Sequence, residues 1–591
     1  MKKILPIVVV VALVAAAAIF FLRQQGSPNA APGRAAALAP ADAVVFIEFP
    51  DAARSKVRWK DTSLHKIAEE PEWREFTAKW DAFAAQNAEW KEVSGVFGQI
   101  ERADPAGVFV AMTAFDGPVP KMVGGFSYRG KKSDVQAVVS AFRTKLLDAY
   151  PTAKAGDLTS YEGTEIETLK DKEITFSMAY RDNWFLFATD TELLLKTLSR
   201  YVGKPGAPAS LASDAAWKKA IAHGASDPDV TVFVRWTAVE KQIQDALALA
   251  SGQVVPSEPS GMESILYTGK MDGLLMRDRL YFALSKKLQH AYDTCANRMS
   301  AFSSAATYAY MATQMAPAGA DRAKYAEVLS KTPVGKEADT VLAKKGLKIA
   351  DIYETFGPEI GMLSDWESGG LSLPTFFAAV EVRDVKKARL FAELMIGELS
   401  DAKKPAETAE GGVTFWTFPA ELGFLQPTFA LTDKHLMFGL NSATVKAALK
   451  QAKADGGKVV ARADFQTAAK TVVSPSMMVL YVDFKTLFER LYEKLKPMAA
   501  YAMVGDSEAA KYFDPTKLPK AETISRHLLP MMIGSGVTDG GMVLDCTGSL
   551  SFIQSYVPLL GGAFFVRSPV LVPRVAPAGA NNPPAGARGI K

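Results

Sequence analysis

The chain has 591 residues, 48% hydrophobic and 22% charged, and its 68 basic against 64 acidic side chains leave a net charge of +4, too even a balance for a dedicated nucleic-acid binder. A mean hydropathy of +0.03 excludes a polytopic membrane protein, and two cysteines with five histidines exclude a disulfide framework and a cysteine-based zinc site. The length exceeds what one hydrophobic core organises, about 250–300 residues, so two folded units are expected.

Met1, Lys2 and Lys3 precede an uncharged run over residues 4–22, which Arg23 closes. A single membrane-spanning helix needs roughly 17–25 residues, and the basic residues before the run place the N-terminus in the cytoplasm. Residues 1–23 are read as an uncleaved signal anchor in a bacterial inner membrane, with the bulk of the chain in the periplasm. The alternative is secretion to the periplasm after cleavage. Against it, the run ends in bulky Ile19-Phe20-Phe21-Leu22, and small-residue sites occur only downstream, at Ala35-Ala36-Ala37. Residues 24–39 are rich in Gly, Pro and Ala and read as a flexible linker.

An internal repeat organises the rest. Asp272-Gly273 and Asp539-Gly540 lie 267 positions apart, each between apolar segments, as hairpin turns require. Gly163 and Gly412 match in similar surroundings. So do the hairpins ending at Asp190 and Asn441, and the strands starting at Val230 and Met477. Val135, Val138, Val139, Phe142 and Leu146 form a helical stripe, matched by Ala388, Phe391, Ala392, Met395 and Leu399. Two α+β repeats follow, over residues 40–285 and 306–556. A linking helix over 286–305 carries Cys295. In the first repeat, strands are expected at 43–49, 107–112, 122–128, 164–169, 174–180, 184–189 and 230–236, with a last hairpin over 264–284. Helices are expected at 63–90, 135–150, 192–201 and 215–222. With no regular βα alternation, the sheet should be mostly antiparallel, with helices packed on one face. A longer helix containing Pro497 is expected in the second repeat. Residues 557–591 read as an apolar stretch running into a disordered Pro/Gly/Ala tail. Cys295 and Cys546 fall one in each half, so free thiols and one long-range bridge both stay open.

The chemistry is sparse. There is no H-E-x-x-H, no phosphate-binding G-x-x-x-x-G-K-[ST] and no G-x-S-x-G. Ser63-Leu64-His65-Lys66 fits S-x-x-K, where a lysine one helical turn away would activate the serine, but no K-T-G strand follows. The simpler reading is a helix cap at Thr62 or Ser63. The histidines at 65, 223, 290, 435 and 527 do not recur between the repeats, so no duplicated metal site is expected. Trp73, Phe76, Trp80 and Phe83 make an aromatic stripe on one helix face. With Trp184 and Phe187 they are the candidate surface for an apolar ligand or a partner, against the plainer reading that they are core.

Ala39-Pro40-Ala41-Asp42 leads into a strand, and Ser210-Leu211-Ala212-Ser213-Asp214 leads into a helix bearing Trp217. Arg462-Ala463-Asp464-Phe465 returns in the second repeat. In these steps the chain resembles an uncharacterised bacterial family of membrane-anchored envelope proteins with a domain of unknown function. The resemblance implies topology and location, and no functional residues. The expectation is a non-catalytic, membrane-anchored envelope protein that binds or scaffolds. It would be held in the inner membrane by residues 4–22, with an envelope protein or a lipid as partner, no nucleic acid and no cofactor. A periplasmic carrier or chaperone for lipid-like ligands is the alternative, and an envelope hydrolase comes after it.

Overall fold

The computed structural model describes residues 34–551, apart from short stretches of which the longest are 88–97, 115–119, 252–260, 368–372 and 506–511. The anchor at 1–23 and the tail at 557–591 lie outside the described residues, as does most of the linker. Among the described residues no helix is long and apolar enough to cross a membrane.

The first half contributes strands β1 (Val45–Phe49), β2 (Pro105–Ala114), β3 (Lys121–Tyr128), β4 (Lys154–Ala155), β5 (Thr159–Tyr161), β6 (Thr164–Lys170), β7 (Thr175–Arg181), β8 (Trp184–Ala188), β9 (Val230–Val234), β10 (Met262–Asp272) and β11 (Leu275–Leu284). The second contributes β12 (Thr307–Gln314), β13 (Phe356–Asp365), β14 (Phe377–Val382), β15 (Ala406–Glu410), β16 (Val413–Thr417), β17 (Thr428–Leu431), β18 (His435–Gly439), β19 (Met478–Val482), β20 (Met531–Thr538) and β21 (Gly541–Gly548). Every pairing is antiparallel. From one end the order is β4 and β5 on β6, then β7, β8, β3, β2, β1, β9, β10 and β11. Across the middle it continues β21, β20, β19, β12, β13, β14, β18, β17, β16 and β15. Read outward from the β11–β21 seam, the two halves therefore repeat one connectivity.

The protein is thus α+β with a large antiparallel sheet. The sheet is continuous, where the sequence suggested one sheet per repeat. The seam is an ordinary ladder running from Met276 against Gly548 to Ala283 against Gly541. Arg279 and Asp545 face each other in it, each the fifth residue of its strand. In a seam between two identical strands that position would set a charge against its own copy. Here Arg279 Nε and Nη2 donate to Asp545 Oδ1 and Oδ2 at 2.7 and 2.9 Å. Opposite charges directly across an antiparallel pair stabilise it, and like charges oppose it.

Helices cover both faces, which corrects the one-face expectation. Alternate residues of a strand point to opposite faces, and both sets are apolar here. On one face Phe46, Phe109, Trp184, Leu186 and Phe233 pack under the Thr191–Tyr201 and Ala215–Ile221 helices through Leu194, Leu198 and Trp217. On the other, Val135 and Val139 of the Lys132–Ala149 helix cover Phe176, Met178 and Phe185. The second half does the same. Val445 and Phe465 cover Tyr310, Phe377 and Tyr481, and Phe391 covers Trp416, Phe429 and Leu436. A strand buried on both sides reads as an apolar run, and that is what β8 and β18 are.

Two connections differ from expectation. The expected helix over 286–305 is not found among the described residues: 288–297 form an irregular strap that leads into the short 3-10 turn Arg298–Phe302. The strap bonds outward to the second half. Cys295 N donates to Ser476 O, and the backbone N–H groups of Ala296 and Met299 donate to the buried Glu359 carboxylate. Asn297 takes a left-handed φ of 56°, which interrupts any helix. The linker also orders early, because Arg34–Leu38 is a helix whose Ala35, Ala36 and Leu38 are buried. Arg200 Nε holds its end by donating to Leu38 O at 2.7 Å.

Of the two Asp-Gly pairs, Asp539-Gly540 forms the hairpin loop with Gly540 at φ 79°. In the first half Asp272 is the last strand residue, and Gly273, at φ 61°, opens a Gly-Leu loop. Glycine takes either positive φ without steric cost.

Candidate functional site

The proposed aromatic surface does not assemble. Trp184 is 5% exposed in the core of one face, with its ring 6.0 Å from Phe109. Phe187, three residues on, points to the opposite face and stacks on Phe176 at 5.6 Å. The other four lie half-buried on the Pro71–Gln86 helix, paired as Trp73–Phe76 and Trp80–Phe83. Trp80 and Phe83 both contact Tyr512 of the second half, at 5.8 and 4.7 Å. Polar bonds flank this contact: Glu72 accepts from Lys520 N and Thr523 Oγ1, Lys517 pairs with Glu75, and His527 Nε2 meets Glu70 Oε1 at 2.5 Å. This helix is therefore a second junction between the halves, through Glu70, Glu72, Glu75, Trp80 and Phe83.

Ser63 and Lys66 do not meet either. Ser63 Oγ is buried within hydrogen-bond reach of Leu274 O and Ser549 Oγ, at 3.0 and 3.1 Å, while Lys66 turns to Asp61 at 3.8 Å. Thr62 caps that helix, accepting from His65 N. The histidines are scattered: His223 stacks on Tyr281, His435 packs on Phe302, and His527 binds Glu70. No cluster that could hold a metal occurs among the described residues. Cys295 and Cys546 are buried free thiols, each pushed up to about 12 by burial.

A polar cleft in the second half is a better candidate. Its volume is about 320 Å³, and Thr307, Tyr308, Trp366, Arg462, Asp483 and Arg490 line it. Its frame follows from the local sequence. Asp483 directly follows β19 and starts the Phe484–Gly505 helix, accepting from Thr486 N and Oγ1 at 3.1 and 2.9 Å. Arg462 precedes the Ala463–Ala469 helix. Its Nε and Nη2 donate to Asp464 at 3.1 and 2.5 Å, Nη2 donates to Asp483 at 2.9 Å, and Nη1 donates to Thr307 O at 2.9 Å. Burial alone would lower the guanidinium, but its bonds to Asp464 and Asp483 outweigh that and hold it above its ordinary value. For Asp464 burial pulls upward, yet bonds from Arg462 and Tyr481 leave the carboxyl below its usual range. Four of the five N–H groups of Arg462 are thus used, leaving one on Nη1.

Arg490, two turns into the helix, is different. It makes no hydrogen bond or ion pair among the described residues, and its Nε is buried without an acceptor. A buried donor left unmade costs about 1–3 kcal/mol. Lys494, one turn on, lies 5.6 Å over the Trp366 ring.

The first half carries the corresponding pair with its charges exchanged. Asp214 caps the Ala215–Ile221 helix, and Arg235 follows β9, with Arg235 Nη2 3.2 Å from Asp214 Oδ1. Arg235 then spends its remaining reach on Ala41 O and Ala43 O. Sequence reasoning singled out the Arg462-Ala-Asp-Phe step only as a structural echo and missed Arg490. A charge directly after each apolar strand, opposed by its partner before a short helix, was the available signal.

No family model matches the chain, and no curated protein matches it. Three crystal forms of TP0453 align with it at 11–12% identity and TM-scores of 0.23–0.24, covering 43–44% of this chain and 80–81% of theirs. Similarity that low identifies neither fold nor function.

Proposed function

We propose that the protein is a non-catalytic binding or scaffold protein of the bacterial envelope. Residues 4–22 anchor it in the inner membrane in a single pass, and two tandem related halves, 40–285 and 306–556, stand in the periplasm. The observation that carries this reading is the β11–β21 seam. A ladder of eight residue pairs fuses the halves into one sheet, buried on both faces, which makes a stiff platform and leaves the connectivity of each half unchanged. The doubled connectivity supports descent of the halves from one ancestral unit. The residues suggested for a carrier groove are dispersed: Trp184 and Phe187 pack at opposite faces of the sheet, and Trp80 and Phe83 meet Tyr512.

Fractionation with protease protection tests the proposal. The full chain should sediment with inner membranes and become protease-accessible when the outer membrane is opened. Recovery in the soluble cytosolic fraction would overturn the topology.

A further inference from the structure

We propose that the cleft receives the phosphate of an anionic phospholipid. Arg490 and the remaining Nη1 N–H of Arg462 are the anion ligands, and an apolar ridge on the same helix seats the acyl part. The inference rests on the membrane-tethered reading above and names a ligand class for it.

Three observations converge. The first is the uncommitted guanidinium. Among the described residues Arg490 has a buried Nε with no acceptor, in a cleft of about 320 Å³ whose only lining carboxylate, Asp483, is engaged by Arg462 and Thr486. A planar fork of N–H groups matches the oxygens of a phosphate, and such charge-assisted bonds are about twice as strong as neutral ones.

The second is the ridge. Leu491, Leu495 and Met498 are 40%, 50% and 66% exposed, and their spacing puts them on one stripe of the Phe484–Gly505 helix, beside Arg490 and Lys494. The opposite side of the helix is packed: Tyr492 and Lys496 donate to Pro519 O, and Glu489 accepts from Ser525 Oγ. An apolar stripe next to basic residues suits the boundary between head groups and acyl chains.

The third is the aromatic wall of the cleft, where Tyr308 and the buried Trp366 pair at 5.8 Å and place an apolar surface beside the arginines. A free phosphate would use the arginines and leave the ridge unexplained.

The test uses the full chain in nanodiscs of zwitterionic lipid and a short-chain phosphatidylglycerol with brominated chains, which quenches nearby tryptophan. Quenching should saturate, and Trp366→Phe should remove a distinct part of it. Arg490→Gln should weaken apparent affinity about tenfold or more, Arg490→Lys less, and Leu495→Ser should also weaken it. Unchanged thermal unfolding of the variants separates lost binding from lost fold. Inorganic phosphate competing as well as the lipid would assign the cleft to a free anion and overturn the lipid. Equal quenching by brominated phosphatidylcholine, insensitive to Arg490→Gln, would overturn the site altogether. Either failure leaves the membrane anchor to be judged by fractionation alone.

Discussion

Replacing Arg279 by alanine should weaken the whole molecule from its middle. The substitution leaves the Asp545 carboxylate, with 5% of its side chain exposed, without the two donors now at 2.7 and 2.9 Å. Breaking a buried pair by removing one partner costs roughly 3–5 kcal/mol. The Arg279 side chain is 36% exposed, so water already screens the pair and water can reach the vacated site. Discounted for that, the expected loss is about 2–3 kcal/mol. Asp545→Ala strands a guanidinium that still touches solvent and should cost less, about 1–2 kcal/mol. Exchanging the charges, Arg279→Asp with Asp545→Arg, should recover most of the loss. Urea unfolding of these three variants, the Arg279→Ala/Asp545→Ala double variant and the parent, followed by circular dichroism, closes the cycle. A parent-like Arg279→Ala, or an exchanged variant as unstable as both single losses together, would refute the idea that opposite charges join unlike strands at the seam.

Further expectations concern other buried groups. Burial raises the Glu48 carboxyl from 4.5 to about 7. The folded chain therefore keeps a proton that the unfolded chain releases between about pH 4.5 and 7, so this group's cost is absent at low pH and grows as pH rises through that window. Glu48→Gln should be neutral at pH 4 and stabilise by about 3 kcal/mol at pH 8, and calorimetry at both values checks the sign. A Cβ at Gly541 would lie 2.2 Å from Phe282 O across the seam, so Gly541→Ala should lower the free energy of unfolding by about 1–3 kcal/mol, read by urea titration. Cys295 and Cys546, both pushed up to about 12, should resist a thiol reagent in the native state and react fully in urea, with equal masses before and after reduction. Rapid native labelling of either cysteine would contradict the packing.

The sequence was most legible where pattern and partner are local. The strands at Thr164–Lys170, Thr175–Arg181 and Trp184–Ala188 and the helix at Lys132–Ala149 fall within a few residues of expectation, because period and turn residues mark them. Residues 286–305 misled for a physical reason. Leu288, Tyr292, Cys295, Met299 and Phe302 have helical spacing, yet Ser476 O and the Glu359 carboxylate take the N–H groups a helix would need. The seam was not legible because the last hairpin of each half presents an edge, and nothing in an edge strand names its neighbour. The cleft was missed for a related reason. Arg462 and Asp483 are 21 positions apart, and only the fold of the second half brings them to Arg490.

Native-state hydrogen exchange at the seam separates one platform from two sheets. If the halves form one platform, the alternate amides of 277–281 and 543–547 that point across the seam should exchange as slowly as those that point into their own hairpins, only through global unfolding. Cross-seam amides that exchange orders of magnitude faster, with each half protected on its own, would mean two separate sheets in place of one platform.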